Sequence, residues 1–167
     1  MKVTDEYVLF WGGVFSQWYK SIFKDDDGIT FTSCEQYMMY KKAELFKDGQ
    51  TAMKILATND VKKIKQLGRE VKNFDESTWD FHKFDIVVDG NCYKFTQNSS
   101  LKKDLMKYET HIFVEASPHD RIWGIGLHFD DADALDSTKW RGQNLLGKAL
   151  NKVISMLNQR NELLCDC

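Results

Sequence analysis

The chain has 167 residues and a mass of 19.5 kDa, which is the size of one globular domain. Its 23 Lys and Arg residues are offset by 25 Asp and Glu residues, so it lacks the basic surplus with which proteins wrap duplex nucleic acid. A single proline excludes a proline-rich linker, and an aromatic content of 13%, with five tryptophans, predicts a substantial core.

Neither the N-terminal segment nor any apolar run predicts export or membrane insertion. The first residues lack a basic stretch followed by an apolar one, and no run approaches the roughly 18 apolar residues that span a bilayer. We therefore expect a cytoplasmic protein with no membrane segment. The cysteines contain no CxxC pair, which favours free thiols over a disulfide framework or a zinc site at Cys34, Cys92, Cys165 and Cys167.

The first predicted elements are strands, a turn and a helix. Residues 7–23 are aromatic with a Gly-Gly break and predict strand and loop, and the Asp-Asp-Asp-Gly sequence at 25–28 predicts a turn before a short strand at 29–32. Ser33 and Gln36 have the spacing of a capping box, with the hydroxyl at the N-cap and the amide at N3. The helix that they open is predicted to run to about residue 46 or 47.

Two more helices are predicted near residues 52–56 and 61–68, the second capped by Asn59 or Asp60. Residues 75–97 have two interpretations. Asp75 is a suitable cap for a long helix with apolar residues at roughly heptad spacing, whereas the Ile-Val-Val-Asp-Gly sequence at 86–90 is typical of a strand entering a hairpin turn. The pattern alone leaves both open.

The last third of the chain combines one strand, a long connection and one helix. Ser99 is the expected cap of a short helix, and residues 110–116 predict a strand from their β-branched content. Residues 117–143 form a long polar connection with three glycines and two tryptophans, which indicates an ordered, functional segment. The final helix has an apolar stripe that predicts core packing at Leu146, Ala149, Leu150, Val153 and Leu157.

An acid and an amine share one face of the first clear helix. Glu35 and Lys42 are seven residues apart, so they lie within about 20° of each other around the axis, on an otherwise apolar stripe. Buried charges are costly unless they are paired or used. Either the stripe edge is exposed and the pair is incidental, or Lys42 is a desolvated nucleophile toward a sugar aldehyde and Glu35 moves protons for it.

Two later clusters are candidate binding segments. In residues 115–126, Asp120 is either an acid/base or a turn cap, and Trp123 either stacks on a ligand or lies in the core. At the start of the last helix, Arg141 and exposed backbone amides predict an anion site. The four histidines lack metal-ligand spacing, so we expect no metal site.

Five ordered motifs give the chain a family resemblance over about residues 8–155. The segments SCEQYMMYKKAELF, LGREVKNF, KFTQNSSLKKDLM, VEASPHDRIWGIGL and WRGQNLLGKAL resemble the NADAR superfamily, which includes the YbiA-like N-glycosidases. The resemblance implies a mainly α fold with a small β component (α+β) in a single domain over 1–167. It also favours the helical interpretation of residues 75–97.

The resemblance further implies hydrolysis of an N-glycosidic bond on ribose. The implied substrate is a small ribonucleotide of the phosphoribosylated riboflavin-precursor type, or ADP-ribosyl-guanine, including the modified base in nucleic acid. No cofactor, metal, membrane or obligate protein partner is implied. The alternative is a module that binds ADP-ribose or a nucleotide without turnover, which needs the aromatic and phosphate contacts but not Lys42.

Residue by residue, the resemblance implies three catalytic side chains. Glu35 matches the acid of the E-x-Y segment, Lys42 matches a lysine proposed to form a Schiff base with the sugar, and Asp120 matches the acid of the D-x-x-W pair. Gln17 stands where many members have Asn. We expect at least two of the five tryptophans to line a ribonucleotide pocket, and the substrate-binding residues to be Trp79, Trp123, Gly124, Arg121, Arg141, Asn144, Ser16 and Trp18.

Overall fold

The computed structural model describes residues 1–165, with side chains described to residue 159. Within that range the chain forms five short strands, β1 (Lys2–Val3), β2 (Tyr7–Phe10), β3 (Phe23–Lys24), β4 (Thr30–Phe31) and β5 (Ile112–Glu115). The six α-helices of the described chain are α1 (Cys34–Leu45), α2 (Gly49–Leu56), α3 (Val61–Arg69), α4 (Glu76–Gln97), α5 (Ser99–Met106) and α6 (Leu145–Cys165). This content confirms the predicted α+β class with a small β component.

The chain contacts divide into two compact units, which are described separately. The first unit contains residues 1–16 and the chain from residue 100 onward, and the second contains residues 17–99. The expectation of one domain over 1–167 stays a prediction. No helix among the described residues is long and apolar enough to cross a lipid bilayer. Cys34 is a buried free thiol and Cys92 is half-buried, while the Cys165 side chain and all of Cys167 lie outside the described residues.

The first unit is built on a three-stranded sheet in the order β1-β2-β5. β2 runs parallel to β5, with Tyr7 opposite Ile112 and Phe10 opposite Glu115, and β1 pairs antiparallel with β2. All four residues of β2 are buried, and α6 packs against β5. The predicted apolar stripe of the last helix is confirmed, because each of its five residues is at most 3% exposed.

Two asparagines occupy the edge of β5 that does not pair with β2. Asn144 donates from Nδ2 to the Phe113 carbonyl at 2.9 Å and accepts at Oδ1 from the Glu115 N–H at 2.9 Å. Seven residues later, Asn151 accepts from the Phe113 N–H at 3.0 Å and donates to the His111 carbonyl at 2.8 Å. These carboxamides satisfy backbone groups that a further strand would otherwise have to pair.

The second unit begins with the β3–β4 hairpin, whose predicted turn at residues 25–28 is confirmed. The Asp25 carboxylate accepts from the Ile29 N–H at 2.9 Å, and the Gly28 N–H donates to the Asp25 carbonyl at 3.0 Å. Gly28 has a φ of 79°, which glycine adopts without the steric cost that a side chain brings. The hairpin leads directly into α1.

Helix α1 is the centre of the second unit, in contact with α2, α3, α4 and β4. Every residue from 34 to 40 is buried, so the helix has no solvent-exposed face in its first two turns. Ser33 is the N-cap, as predicted, and its hydroxyl accepts from the Gln36 N–H. Gln36 is at N3, as predicted, but its carboxamide oxygen accepts from the N–H of Thr32 and not from that of Ser33, and its NH2 group donates to the carbonyls of Ile55 and Thr58.

Residues 76–97 form helix α4, which confirms the helical interpretation of residues 75–97. Asp75 caps it by accepting from the Thr78 N–H at 2.7 Å. The hairpin interpretation is wrong because Gly90 has a packing role inside the helix instead of a turn role. A Cβ at Gly90 would lie 2.6 Å from the Tyr37 ring, so glycine allows α4 to approach α1 closely.

Candidate functional site

The Lys42 amine lies in a half-buried aromatic environment at the last turn of α1. Its Nζ donates to the Gly68 carbonyl at 2.8 Å and lies 4.3 Å from the Phe74 ring centroid and 5.4 Å from that of Trp79. Gly68 is in the last turn of α3, where a helix leaves its carbonyls without helical partners. The structure therefore brings together two predicted site residues, Lys42 and Trp79.

Burial lowers the pKa of Lys42 below that of an ordinary lysine. The ion pairs of the described side chains do not include Lys42, so no carboxylate offsets this effect. Its neighbour Lys41 differs: burial lowers the Lys41 pKa, but the hydrogen bond and charge of Glu44 outweigh burial and the net shift is upward. Of two consecutive lysines, only Lys42 is poised to lose its proton more easily than usual.

Glu35 is in the first turn of α1 and is only 4% exposed, so the interpretation that places this stripe edge in solvent is wrong for the acid. Its backbone N–H donates to the Gln17 carbonyl at 2.9 Å. Glu35 and Lys42 form no ion pair with each other, because seven residues of helix separate them by about 10 Å along the axis. The two side chains lie on the same helix, but neither charge neutralises the other.

A second buried cation, Lys94 of α4, lies near the Glu35 end of α1. It is 0% exposed, and its Nζ is 4.9 Å from the Phe95 ring centroid and 5.5 Å from that of Tyr19. Burial raises the pKa of the Cys34 thiol to about 11, while the charge of Lys94 lowers it and that of Glu35 raises it. The amine of Lys94 and the carboxylate of Glu35 therefore both act on the same thiol.

Gln17 and Asn91 join the start of the second unit to α4. Gln17 is 6% exposed and Asn91 is 0% exposed. The Asn91 Nδ2 donates to the Gln17 Oε1 at 2.9 Å and to the Val87 carbonyl at 2.8 Å. The Gln17 Nε2 is buried and has no hydrogen-bond partner among the described residues.

Trp18, a predicted binding residue, is 41% exposed and lines a cavity of about 200 Å³ with Lys20, Thr32, Ser33, Asn59 and Val61. The Lys65 ammonium lies 5.5 Å from the Trp18 ring centroid. Whole-ligand pockets usually have volumes above roughly 300 Å³, so this cavity has room for one moiety of a ligand. The indole offers a face for a ring of the ligand, and the ammonium groups of Lys20 and Lys65 beside it favour a ligand that also carries negative charge.

In the first unit, the Asp120 carboxylate has a structural partner on one oxygen. Its Oδ1 accepts from the N–H groups of Ile122 and Trp123, both at 2.8 Å, which is the turn-capping geometry that the sequence left as one alternative. Oδ2 makes no hydrogen bond to the described residues. Trp123 follows on this turn and is half-buried.

Arg121 and Arg141 are exposed and are brought together around Gly126, which has a φ of 69°. A Cβ on Gly126 would lie 3.1 Å from a side-chain carbon of each arginine. Gly124 has a different role, since a Cβ there would lie 2.8 Å from the Glu115 carbonyl oxygen and 3.0 Å from that of Asp120. Its lack of a side chain serves close packing of backbone within the loop.

The backbone amides at the start of α6 are occupied, contrary to the expectation of an exposed anion site there. The N–H groups of residues 144, 145 and 146 donate to the carbonyls of Gly124, Ile122 and Trp123. Asn144 is 2% exposed, and its carboxamide bridges two backbone groups of β5. Anion binding in this segment would therefore depend on the guanidinium groups of Arg121 and Arg141.

None of the five tryptophans, all of which lie in the described part of the chain, is fully buried. Trp11 and Trp18 are 48% and 41% exposed, and the other three are half-buried. Trp140 has a packing role, because its Nε1 donates to the Ala134 carbonyl at 2.9 Å and its ring contacts Tyr7 edge to face. Ser16 is half-buried at the end of a short 3₁₀ turn.

Lys94, Asn91 and Gln17 are not among the site residues that the sequence predicts. A signal for the two α4 residues was present: on a helix, Val87, Asn91, Lys94 and Phe95 lie on one face, and that face is buried. This face could not be identified from the sequence while residues 75–97 had both a helical and a hairpin interpretation. Among the described residues, no group of three His, Cys, Asp or Glu side chains is arranged to hold a metal ion.

Comparisons with known proteins agree with this architecture. A model of the NADAR domain matches residues 9–158. N-glycosidase R617 of Acanthamoeba polyphaga mimivirus is 46% identical over 162 residues, covering 90% of this chain and 95% of that protein. Protein irg-1 of Caenorhabditis elegans is 36% identical over 176 residues, covering 95% and 83%. The NMR structure of the E. coli protein YbiA superimposes with a TM-score of 0.77 at 22% identity, covering 96% of this chain and 89% of that one, which supports the fold.

Proposed function

Because this chain belongs to the NADAR domain family, we propose that it is a hydrolase that cleaves the N-glycosidic bond between a ribose and a base. A relative with 46% identity, matched over 95% of its own length, is named an N-glycosidase. The observation that carries the proposal is the Lys42 amine, which is half-buried against aromatic rings, has a lowered pKa and has no carboxylate partner.

Lys42 is the proposed nucleophile because a neutral amine, and not an ammonium, can attack carbon. Its Nζ lone pair forms a bond to C1′, and the C1′–base bond breaks with its electron pair passing to the base nitrogen, which takes up a proton. The lysine nitrogen loses a proton, its lone pair forms the C1′=N bond, and the C1′–O4′ bond breaks with its electron pair passing to O4′, which takes up a proton; a protonated imine remains. Water then adds to C1′ and releases the free sugar and the amine.

Glu35 and Asp120 are the proposed groups for proton transfer and for stabilising positive charge on the ribose. A buried carboxylate is effective in both roles because its field is weakly screened, and Glu35 is 4% exposed. Asp120 has its Oδ1 held by two backbone N–H groups. That arrangement fixes the orientation of the carboxylate and leaves Oδ2 available.

The proposed substrate contacts are aromatic and cationic. Trp79 and Trp123 would stack on the base or the sugar and exclude water, and Trp18 would contact a further ring in its cavity. The guanidinium groups of Arg121 and Arg141, which flank Gly126, suit a phosphate because the fork geometry of arginine matches its oxygens. Such contacts fit both ADP-ribosyl-guanine and a phosphoribosylated riboflavin precursor.

The test is to incubate the protein with ADP-ribosylated guanosine and, separately, with a phosphoribosylated riboflavin precursor. Mass spectrometry should detect released base and free sugar from at least one substrate. Borohydride added during turnover should reduce the imine and leave a sugar adduct on the Lys42 peptide. Turnover without that adduct would refute the imine and leave direct hydrolysis by water.

Lys41 provides a matched control on the same helix. Lys42→Met should abolish the adduct and lower the rate by a factor on the order of 10² or more, while Lys41→Met should retain both. Lys42→Arg should also be inactive, since guanidinium cannot act as the nucleophile. Tight binding of ADP-ribose that survives Lys42→Met, with no base released by the wild-type protein from either substrate, would instead establish the binding module.

A further inference from the structure

Gln17 carries a buried hydrogen-bond donor to which the described residues offer no acceptor. The side chain is 6% exposed, and its Nε2 has no partner among the described residues. An unsatisfied buried polar group destabilises the folded chain, and most buried donors in native proteins are satisfied. A buried donor that stays unpaired despite this cost indicates that a ligand supplies the acceptor.

The orientation of this carboxamide follows from the hydrogen-bond network. The Asn91 Nδ2 donates to the Val87 carbonyl, so the amide nitrogen of Asn91 is the end that faces the Gln17 side chain as well. Only an oxygen of Gln17 can accept from that nitrogen at 2.9 Å. The free end of Gln17 is therefore the NH2 group, which can only donate.

The same residue is coupled to the proposed acid. The Gln17 carbonyl accepts from the Glu35 N–H at 2.9 Å, so the two backbones are in direct contact at the first turn of α1. Both side chains are buried, Glu35 at 4% and Gln17 at 6% exposure. If Glu35 stabilises charge at C1′ of the ribose, a neighbouring donor is placed for the hydroxyl on C2′, the carbon next to C1′.

We propose, on the basis of the proposed function, that the Gln17 Nε2 donates a hydrogen bond to the 2′-oxygen of the substrate ribose. The contact makes Gln17 a specificity-determining residue that selects ribosyl over 2′-deoxyribosyl groups. A 2′-deoxy sugar leaves the buried donor unpaired, and sites of this kind reject analogues that lack the hydroxyl. Hydrogen bonds to this hydroxyl also strengthen as charge develops on the sugar during glycoside cleavage.

The binding test uses ribose 5-phosphate and 2-deoxyribose 5-phosphate, with the side-chain NH2 resonances of Gln17 followed by NMR. Ribose 5-phosphate should shift these resonances, and the deoxy sugar should bind about tenfold more weakly without shifting them. A shift with both sugars, or with neither at millimolar concentration, would overturn the proposal. Because no turnover is needed, this result is independent of whether the protein hydrolyses a glycoside.

Two variants separate the donor from the rest of the side chain. Gln17→Met removes both the donor and the oxygen that accepts from Asn91, whereas Gln17→Glu keeps an oxygen for Asn91 and replaces only the donor with an acceptor. Both should reduce the preference for ribose by about tenfold, whereas Gln66→Met, at an exposed glutamine of α3, should retain it. In the hydrolysis assay the ribosyl substrate should lose kcat/KM and the deoxyribosyl substrate should not. Equal losses for both would indicate a structural role and contradict the proposal.

Discussion

Replacing Asn144 tests whether this residue is a structural clamp on β5. Asn144→Ala removes two hydrogen bonds, to the Phe113 carbonyl and from the Glu115 N–H, at a position that is 2% exposed. Each backbone group left unsatisfied costs about 1–3 kcal/mol. Asn144 also has a φ of 53°, where alanine adds roughly 1 kcal/mol of strain relative to asparagine.

These contributions sum to a loss of about 3–7 kcal/mol in the free energy of unfolding, a large fraction of the roughly 5–15 kcal/mol typical of folded domains. Urea unfolding followed by far-UV circular dichroism measures it. Hydrogen exchange at the Glu115 amide provides a local measurement, and that amide should exchange much faster in the variant.

The matched variants separate strain from hydrogen bonding. Asn144→Gly accommodates the positive φ but loses both hydrogen bonds, so it should be only about 1 kcal/mol more stable than Asn144→Ala. Asn151→Ala removes the equivalent pair of bonds from a half-buried site and should lose about 1–3 kcal/mol. A loss below about 1 kcal/mol for Asn144→Ala, combined with weaker substrate binding, would refute the clamp and assign Asn144 to the substrate instead.

Three further predictions follow from close contacts and shifted pKa values. Gly90→Ala should lower the free energy of unfolding by on the order of 1 kcal/mol, because overpacking against Tyr37 exceeds the gain in helix propensity. Gly49→Ala, where a Cβ meets no atom within 4 Å, should cause no loss, and equal urea midpoints for the two variants would contradict this. Hydrogen bonds from the Lys72 N–H, which has the largest effect, and from Thr51 lower the pKa of Asp48 from 3.8 to about 2. The ionised Asp48 therefore stabilises the folded protein fully above pH 4, and this contribution is lost as the pH falls toward 2. The difference in Tm between wild type and Asp48→Asn should therefore close over that range, and a constant difference would exclude the linkage. Because burial lowers the pKa of Lys42, the yield of borohydride-trapped adduct should rise with pH and level off at a pH below the pKa of an ordinary lysine. A yield that is still rising at that ordinary pKa would show that the amine is unshifted.

Much of the fold was predictable because local chemistry determines it. The Ser33 cap, the Asp-Asp-Asp-Gly turn and the apolar stripe of α6 depend on residues close in the chain, and all three predictions are confirmed. Where local rules conflict, long-range contacts decide. The Asp-Gly pair at 89–90 is a good turn sequence, yet Gly90 lies in the middle of α4, where its lack of a side chain allows close packing against Tyr37.

The candidate site was predictable in part. Helical spacing brought Glu35 and Lys42 onto one stripe, and the burial of Glu35 and half-burial of Lys42 make their charges costly, as one interpretation required. The partners of Lys42 come from elsewhere in the chain: the Gly68 carbonyl ends α3, and Phe74 and Trp79 follow it. No spacing rule predicts a carbonyl at a helix end as the acceptor for a lysine.

By itself, the sequence determined the family, the α+β class and the residue types available for glycoside chemistry. The tertiary structure determines which polar groups find a hydrogen-bond partner within the protein and which do not. The first N–H groups of α6 and the Asn144 carboxamide are hydrogen-bonded to backbone groups, whereas the Gln17 Nε2 has no partner within the described part of the chain. The physical reason is that hydrogen-bond satisfaction and desolvation depend on atoms distant in the chain, and these same two quantities raise or lower the reactivity of every candidate residue.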